Sequence, residues 1–90
     1  MADSLDNLIG KDVVLDTEGP MVLIGRLASC DVDGFWLEQA DVHNCNDGHA
    51  KREQYIAESA RDGIRVNRER VFIFRRAVVG VSALADVTID

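Results

Sequence analysis

The chain has 90 residues, 47% of them hydrophobic, and a formal net charge of −6. A chain of this length can bury one core, so we expect a single domain over residues 1–90, and its apolar content excludes an intrinsically disordered protein. The negative charge argues against a general nucleic-acid binder, and no apolar run approaches the roughly 18 residues that a membrane span requires.

The charged side chains are unevenly distributed along the chain. Residues 1–50 contain two basic and ten acidic side chains, whereas residues 51–76 contain eight basic and four acidic ones. The positive potential is therefore confined to one stretch. Such a stretch is either a set of solvated faces with internal ion pairs or a binding surface for a polyanion, and the sequence leaves both open.

The first residues of the chain bear on the compartment. Residues 1–6 are acidic and lack the basic and apolar regions of a signal peptide. We therefore expect a cytoplasmic protein, in which Cys30 and Cys45 are reduced thiols rather than a disulfide.

The N-terminal half predicts a short helix and three strands. Residues 4–10 predict the helix, with a capping serine at one end and a glycine at the other. Residues 11–17 predict a strand with apolar side chains on one face and acidic ones on the other. Residues 21–31 and 35–42 follow as strands, and Gly25 within the first of these permits the sharp bend that closes a small barrel.

The C-terminal half predicts a loop, a helix and two further strands. Residues 43–49 are loop-forming, and residues 50–61 have a weak apolar side around Tyr55, which favours a helix. A long hairpin arm is the alternative for this segment. Residues 64–74 and 78–84 predict the fourth and fifth strands.

These elements together predict a mainly β protein, in which a short N-terminal helix precedes a strongly bent five-stranded antiparallel barrel. A helical or hairpin insertion of about residues 45–63 separates strands 3 and 4. The last two strands carry more apolar surface than one small barrel can bury, and an open apolar edge strand promotes aggregation. Pairing that edge with a second copy, head to tail, removes the hazard and closes a homo-oligomeric ring.

Several segments resemble the Sm-like superfamily. Residues 5–16 are similar to its opening helix and first strand. Residues 25–31, Gly-Arg-Leu-Ala-Ser-Cys-Asp, resemble its first motif, in which a bend glycine precedes an aspartate by six positions. Residues 71–82 resemble its second motif, in which an arginine ends the fourth strand. The resemblance covers residues 5–44 and 64–86 and leaves the middle segment outside it.

Members of this superfamily adopt the Sm-like fold, form rings and typically bind single-stranded RNA. The resemblance places the aspartate of their RNA pocket at Asp31 and its arginine at Arg75. Phe35 stands near the pocket asparagine, where it can stack on a base but cannot hydrogen-bond its edge, and Arg76 replaces the glycine after the arginine. The alternative is that Arg75 bonds to Asp31 and only holds two loops together.

A second candidate site is a metal site in the predicted loop. His43, Cys45 and His49, with Asp47 between them, are residue types that bind zinc. Their spacing matches no closed structural zinc site, and a fourth ligand would have to come from elsewhere. Two solvent-facing histidines and a loop cysteine are therefore the simpler interpretation, and we expect no cofactor.

The sequence contains no recognisable catalytic arrangement, so we expect a binding protein rather than an enzyme. None of the serines or cysteines lies in a nucleophile elbow, and no glycine-rich phosphate loop is present. The first hypothesis is an Sm-like ring that binds single-stranded RNA or acts as an RNA-associated scaffold. The second is a ring-forming protein-interaction module that has lost RNA binding and uses the insertion as its contact surface. A lone SH3-like barrel is the third.

Overall fold

The computed structural model describes residues 4–46 and 51–88, which form a five-stranded antiparallel sheet and one α-helix. The strands are β1 (Asp12–Thr17), β2 (Met21–Cys30), β3 (Gly34–Asn44), β4 (Arg68–Phe74) and β5 (Val78–Ala83), and the helix is α1 (Arg52–Asp62). Short 3-10 helices span Ser4–Leu8, Arg75–Ala77 and Leu84–Asp86. The predicted mainly β architecture is confirmed, and the insertion is a helix rather than a hairpin arm.

The strand order across the sheet is β4-β3-β2-β1-β5, so β4 and β5 lie at its two edges. All neighbouring strands are antiparallel. The connection between β4 and β5 is only the 3-10 turn Arg75–Ala77, yet the two strands lie at opposite edges. Such a path requires a strongly curved sheet, as the sequence predicted.

The curvature has an identifiable origin in β2 and β3. A Cβ atom on Gly25 would lie 2.8 Å from the Cβ atom of Ala40, so only glycine allows the two strands to approach here. The register between β2 and β3 shifts between Ile24 and Arg26, and Gln39 in β3 has a φ of 50°. This combination is a β-bulge, which bends a strand and increases its twist.

The sheet buries apolar side chains on both faces. One cluster contains side chains from β1, β2 and β3, packed against the N-terminal 3-10 helix and β4: Val13, Leu15, Leu23, Leu27, Phe35, Leu37 and Ala40. The other lies beneath α1 and contains Val14, Val22, Ile24, Tyr55, Ile56 and Leu84. The prediction that β1 has one apolar and one acidic face was wrong, because α1 covers its second face and buries Val14.

Two predicted boundaries also need correction. His43 and Asn44 belong to β3 rather than to a loop, because they pair with Val22 and Met21 of β2. The fourth strand begins at Arg68 rather than at residue 64. Just before it, the Asn67 side chain bonds the Val42 backbone N–H and C=O, both at 3.0 Å, in place of regular sheet pairing.

Polar contacts fix α1 to the sheet. Arg52 at its first turn donates to the Asp16 carboxylate at 3.3 Å and to the backbone oxygens of Thr17 and Gly19. Neither α1 nor the short 3-10 helices of the described ranges is long and apolar enough to cross a membrane. The apolar side chains of α1, Tyr55 and Ile56, pack against Val14, Val22 and Ile24 of the sheet.

Candidate nucleic-acid interface

The β2–β3 loop is a tight turn held by Asp31. The Asp31 Oδ1 atom accepts hydrogen bonds from the backbone N–H groups of Asp33 at 2.8 Å and Gly34 at 3.2 Å. The Asp31 N–H donates to the Gly34 carbonyl oxygen at 3.0 Å. This Asx-type arrangement explains why an aspartate begins the turn. The carboxylate therefore orders its own loop.

Gly34 brings this loop against the turn that follows β4. A Cβ atom at position 34 would overlap the carbonyl oxygen of Ile73 and lie 2.8 Å from the ring of Phe72. Only glycine permits this backbone approach. As a result, the Arg75 N–H donates to the Asp33 carbonyl oxygen at 2.9 Å, which joins the two loops.

Arg75 and Asp31 meet at this junction. The Arg75 Nε atom donates to the Asp31 backbone oxygen at 3.1 Å, and its guanidinium carbon lies 5.5 Å from the centre of the Phe35 ring. The two residues that the resemblance placed together are therefore in contact. This contact holds two loops together, which is the structural role that the sequence left open for Arg75. The Arg75 side chain is nevertheless exposed.

Phe35 does not occupy the position expected of a stacking residue. Its side chain is only 3% exposed and belongs to the apolar cluster beneath β1 and β2. The prediction that Phe35 stacks on a base disagrees with this burial. The ring instead supports the Arg75 guanidinium from below, a cation–π contact that restricts where the arginine can point.

Arg76 points to a different surface from Arg75. Its guanidinium carbon lies 5.5 Å from the centre of the Phe74 ring, and Phe74 is 59% exposed. Phe74 in turn contacts Phe72, which packs against Trp36. This aromatic surface was not predicted from the sequence. The signal for it was that every second residue of the stretch 68–74 is an arginine or a phenylalanine, which places these side chains on one face of a strand.

A separate polar cluster lies between α1 and β3. The Tyr55 hydroxyl donates to the buried Asp41 carboxylate at 2.5 Å, and the Asn67 side-chain amide donates to its other oxygen at 2.9 Å. Burial raises the pKa of Tyr55, and the hydrogen bond to Asp41 raises it further. His43 stacks on Tyr55 with ring centres 3.8 Å apart. These residues line a cavity of about 580 Å³.

The metal candidates do not come together among the described residues. The interpretation of His43 as a solvent-facing loop residue was wrong, since its Nε2 atom is buried and has no hydrogen-bond partner. Cys45 packs against the apolar cluster beneath α1. His49 lies outside the described residues. Within residues 4–46 and 51–88, no three His, Cys, Asp or Glu side chains are arranged to hold a metal ion.

Comparison with solved structures finds a protein of similar fold. The Sm protein of Pyrococcus abyssi, solved in complex with a uridine heptamer, superimposes with a TM-score of 0.61 and 18% sequence identity. The match covers 91% of this chain and 99% of the archaeal one. No protein-family model matches the sequence, and no curated protein matches it.

The superposition extends over nearly the whole of both chains, so it includes the curved antiparallel sheet of this chain. At 18% identity the likeness concerns the fold. This chain therefore has the Sm-like fold.

Proposed function

We propose that this protein forms a homo-oligomeric ring that binds single-stranded RNA where the β2–β3 loop meets the Arg75–Ala77 turn. The observation that carries the proposal is the Arg75 junction, where Gly34, Asp31 and Phe35 position an exposed guanidinium at a defined point of an otherwise acidic chain. A positioned cation contacts a phosphate at a lower entropic cost than a mobile one. The protein would act in the cytoplasm by binding rather than by catalysis.

Ring formation is supported by the two edges of the sheet. β4 and β5 each pair with a single neighbouring strand, so each presents unpaired backbone groups. Val79 in β5 is 58% exposed. A β4 edge of one copy paired with the β5 edge of the next would satisfy these groups and cover Val79.

The solution mass tests the ring. Light scattering should give a mass of several subunits, and Val79→Asp should reduce it towards that of one chain, because a carboxylate would be buried at the contact. Val32→Asp is the matched control, since Val32 is 84% exposed in the β2–β3 loop. A wild-type mass of one chain would contradict the ring.

An RNA titration tests the binding site. Short uridine- and adenosine-rich RNAs should bind, and their affinity should fall steeply between about 50 and 200 mM salt, because phosphate contacts release counterions. Arg75→Ala should weaken binding and lower the salt slope by about 0.7 for each phosphate that the arginine neutralises. Arg61→Ala is the control, since Arg61 is exposed on α1 and pairs with Asp62. Equal effects of the two substitutions would contradict the site.

The protein-interaction hypothesis has less support from the structure. It required the insertion to offer a contact surface, but the buried side chains of α1, Tyr55, Ile56 and Ser59, face its own sheet. A multimer that ignores RNA at low salt would nevertheless favour that hypothesis over the RNA-binding one.

A further inference from the structure

The outer face of the β3–β4 edge carries a continuous row of rings and guanidinium groups. The Arg70 guanidinium carbon lies 4.3 Å from the centre of the Trp36 ring, Trp36 lies 5.0 Å from Phe72, and Phe72 lies 5.3 Å from Phe74. The Arg76 guanidinium carbon, 5.5 Å from Phe74, ends the row. We call these five side chains the outer aromatic row.

Strand geometry explains why the row lies on one face. Alternate residues of a strand point to opposite sides, and Val71 and Ile73 of β4 pack against the apolar core. Arg70, Phe72 and Phe74 therefore share the other side. Trp36 joins them because it is the cross-strand partner of Phe72.

The charges around the row favour one class of ligand. Arginines stand at both ends, within the stretch 51–76, which has eight basic and four acidic side chains. Glu38 is the cross-strand neighbour of Arg70, but it forms an ion pair with Arg26 at 2.6 Å. An apolar partner would bury the two guanidinium groups without compensation. A flexible polyanion with flat rings matches both the arginines and the aromatic side chains.

The row begins beside the proposed RNA site, on the surface to which Arg76 rather than Arg75 points. Phe74 pairs with Gly34 at the loop junction, and Arg76 follows Arg75 in the chain. From Phe74 to Arg70 the strand runs about 13 Å at a rise of about 3.3 Å per residue. A strand of RNA held at Arg75 can therefore continue along β4 without leaving the basic stretch.

We propose that the outer aromatic row is a second contact surface for single-stranded RNA, with bases stacked on Phe74 and Trp36 and phosphates paired with Arg70 and Arg76. This inference rests on the proposed function and extends it from the loops to the outer face of the sheet. Base–aromatic stacking strengthens binding and tolerates any base. The surface would lengthen the bound RNA rather than select its sequence.

Trp36 makes the inference directly testable, because it is the only tryptophan of the chain. RNA binding is followed by the anisotropy of a labelled oligouridine and, in a separate titration with unlabelled oligouridine, by Trp36 emission. The emission should change with the same affinity as the anisotropy. Phe74→Leu should weaken binding roughly tenfold, as expected when one base no longer stacks on a ring. Phe74→Tyr, which keeps a ring, should bind like the original chain.

Three results would overturn the inference. In the first, Arg75→Ala weakens RNA binding, but RNA does not change Trp36 emission and Phe74→Leu binds RNA as tightly as the original chain. That result would refute the second surface and leave the proposed function standing. Anisotropy that shows no RNA binding at low salt would refute both. A Phe74→Leu variant with reduced mass, or Trp36 emission that changes with protein concentration alone, would assign the row to a contact between subunits.

Discussion

The centre of the sheet and its β4 edge differ in how their two faces are covered. Residues 13–15 of β1 and 22–24 of β2 are buried on both sides, by the first apolar cluster on one face and by α1 on the other. β4 buries Val71 and Ile73 on one side and leaves Arg70, Phe72 and Phe74 on an uncovered face. The α-helix thus stabilises the centre of the sheet, whereas the uncovered face of β4 is the surface that we propose for RNA contacts.

The largest expected effect is at the helix-covered centre. Val14 is 1% exposed beneath α1, so Val14→Ala should lower the free energy of unfolding by about 2–3 kcal/mol, through reduced burial and a cavity. Val32→Ala, the same change at an exposed residue, should stay within about 0.5 kcal/mol. Urea unfolding at equal protein concentrations measures both. Similar values for the two variants would show that α1 does not cover β1 in solution.

The anchor of α1 gives an effect of intermediate size. Tyr55→Phe removes the hydroxyl that satisfies the buried Asp41 carboxylate, and should cost about 1–3 kcal/mol in urea unfolding. Gln54→Ala, on the exposed side of the same helix, is the control. A loss of stability confined to the Gln54 variant would mean that Asp41 finds another partner.

The same tyrosine predicts a dependence on alkaline pH. Its raised pKa means that the folded chain keeps a proton that the unfolded chain releases at about pH 10. This contribution to stability is therefore complete below about pH 10 and is lost as the pH rises through the folded value. Tyr55 is the only tyrosine, so phenolate absorption reports on it alone. Near pH 10 we expect little phenolate in the folded chain and about half in urea; equal amounts would contradict the buried hydrogen bond.

The smallest expected effect is at the surface of the edge. Arg26 and Glu38 form an exposed ion pair beside the outer aromatic row. A double-mutant cycle with both alanine substitutions should give a coupling of about 0.2–1 kcal/mol that decreases with added salt. A larger, salt-insensitive coupling would indicate that this face is covered in the assembled protein.

Much of the fold could be predicted because it depends on local patterns. Gly25 marks the bend, and turn residues mark the ends of β1 and β2. The meeting of Asp31 with Arg75 was also predicted, by way of the Sm-like motifs. The boundary of β4 was not predictable, because Asn67 replaces sheet pairing with side-chain bonds to Val42 across a gap of 25 residues.

The candidate site was predicted only in part, because a strand pattern does not say which face is covered. Phe35 and Trp36 are adjacent in β3, and either could have faced the core. The structure buries Phe35 and leaves Trp36 on the outer face beside Arg70. His43 was placed in a loop because asparagine and glycine follow it, yet pairing with Val22 extends β3 through it.

The sequence by itself determined the mainly β character, the bend at Gly25, the place of the insertion and the concentration of arginine in residues 51–76. These depend on residue type, period and charge, which are local properties. Tertiary structure alone decided that α1 covers parts of β1 and β2 and that Asp41 is buried against Tyr55. It also decided that three aromatic rings align with two arginines along the β3–β4 edge. Each of these arrangements joins residues that are distant in the chain, and only the packing of the sheet brings them together.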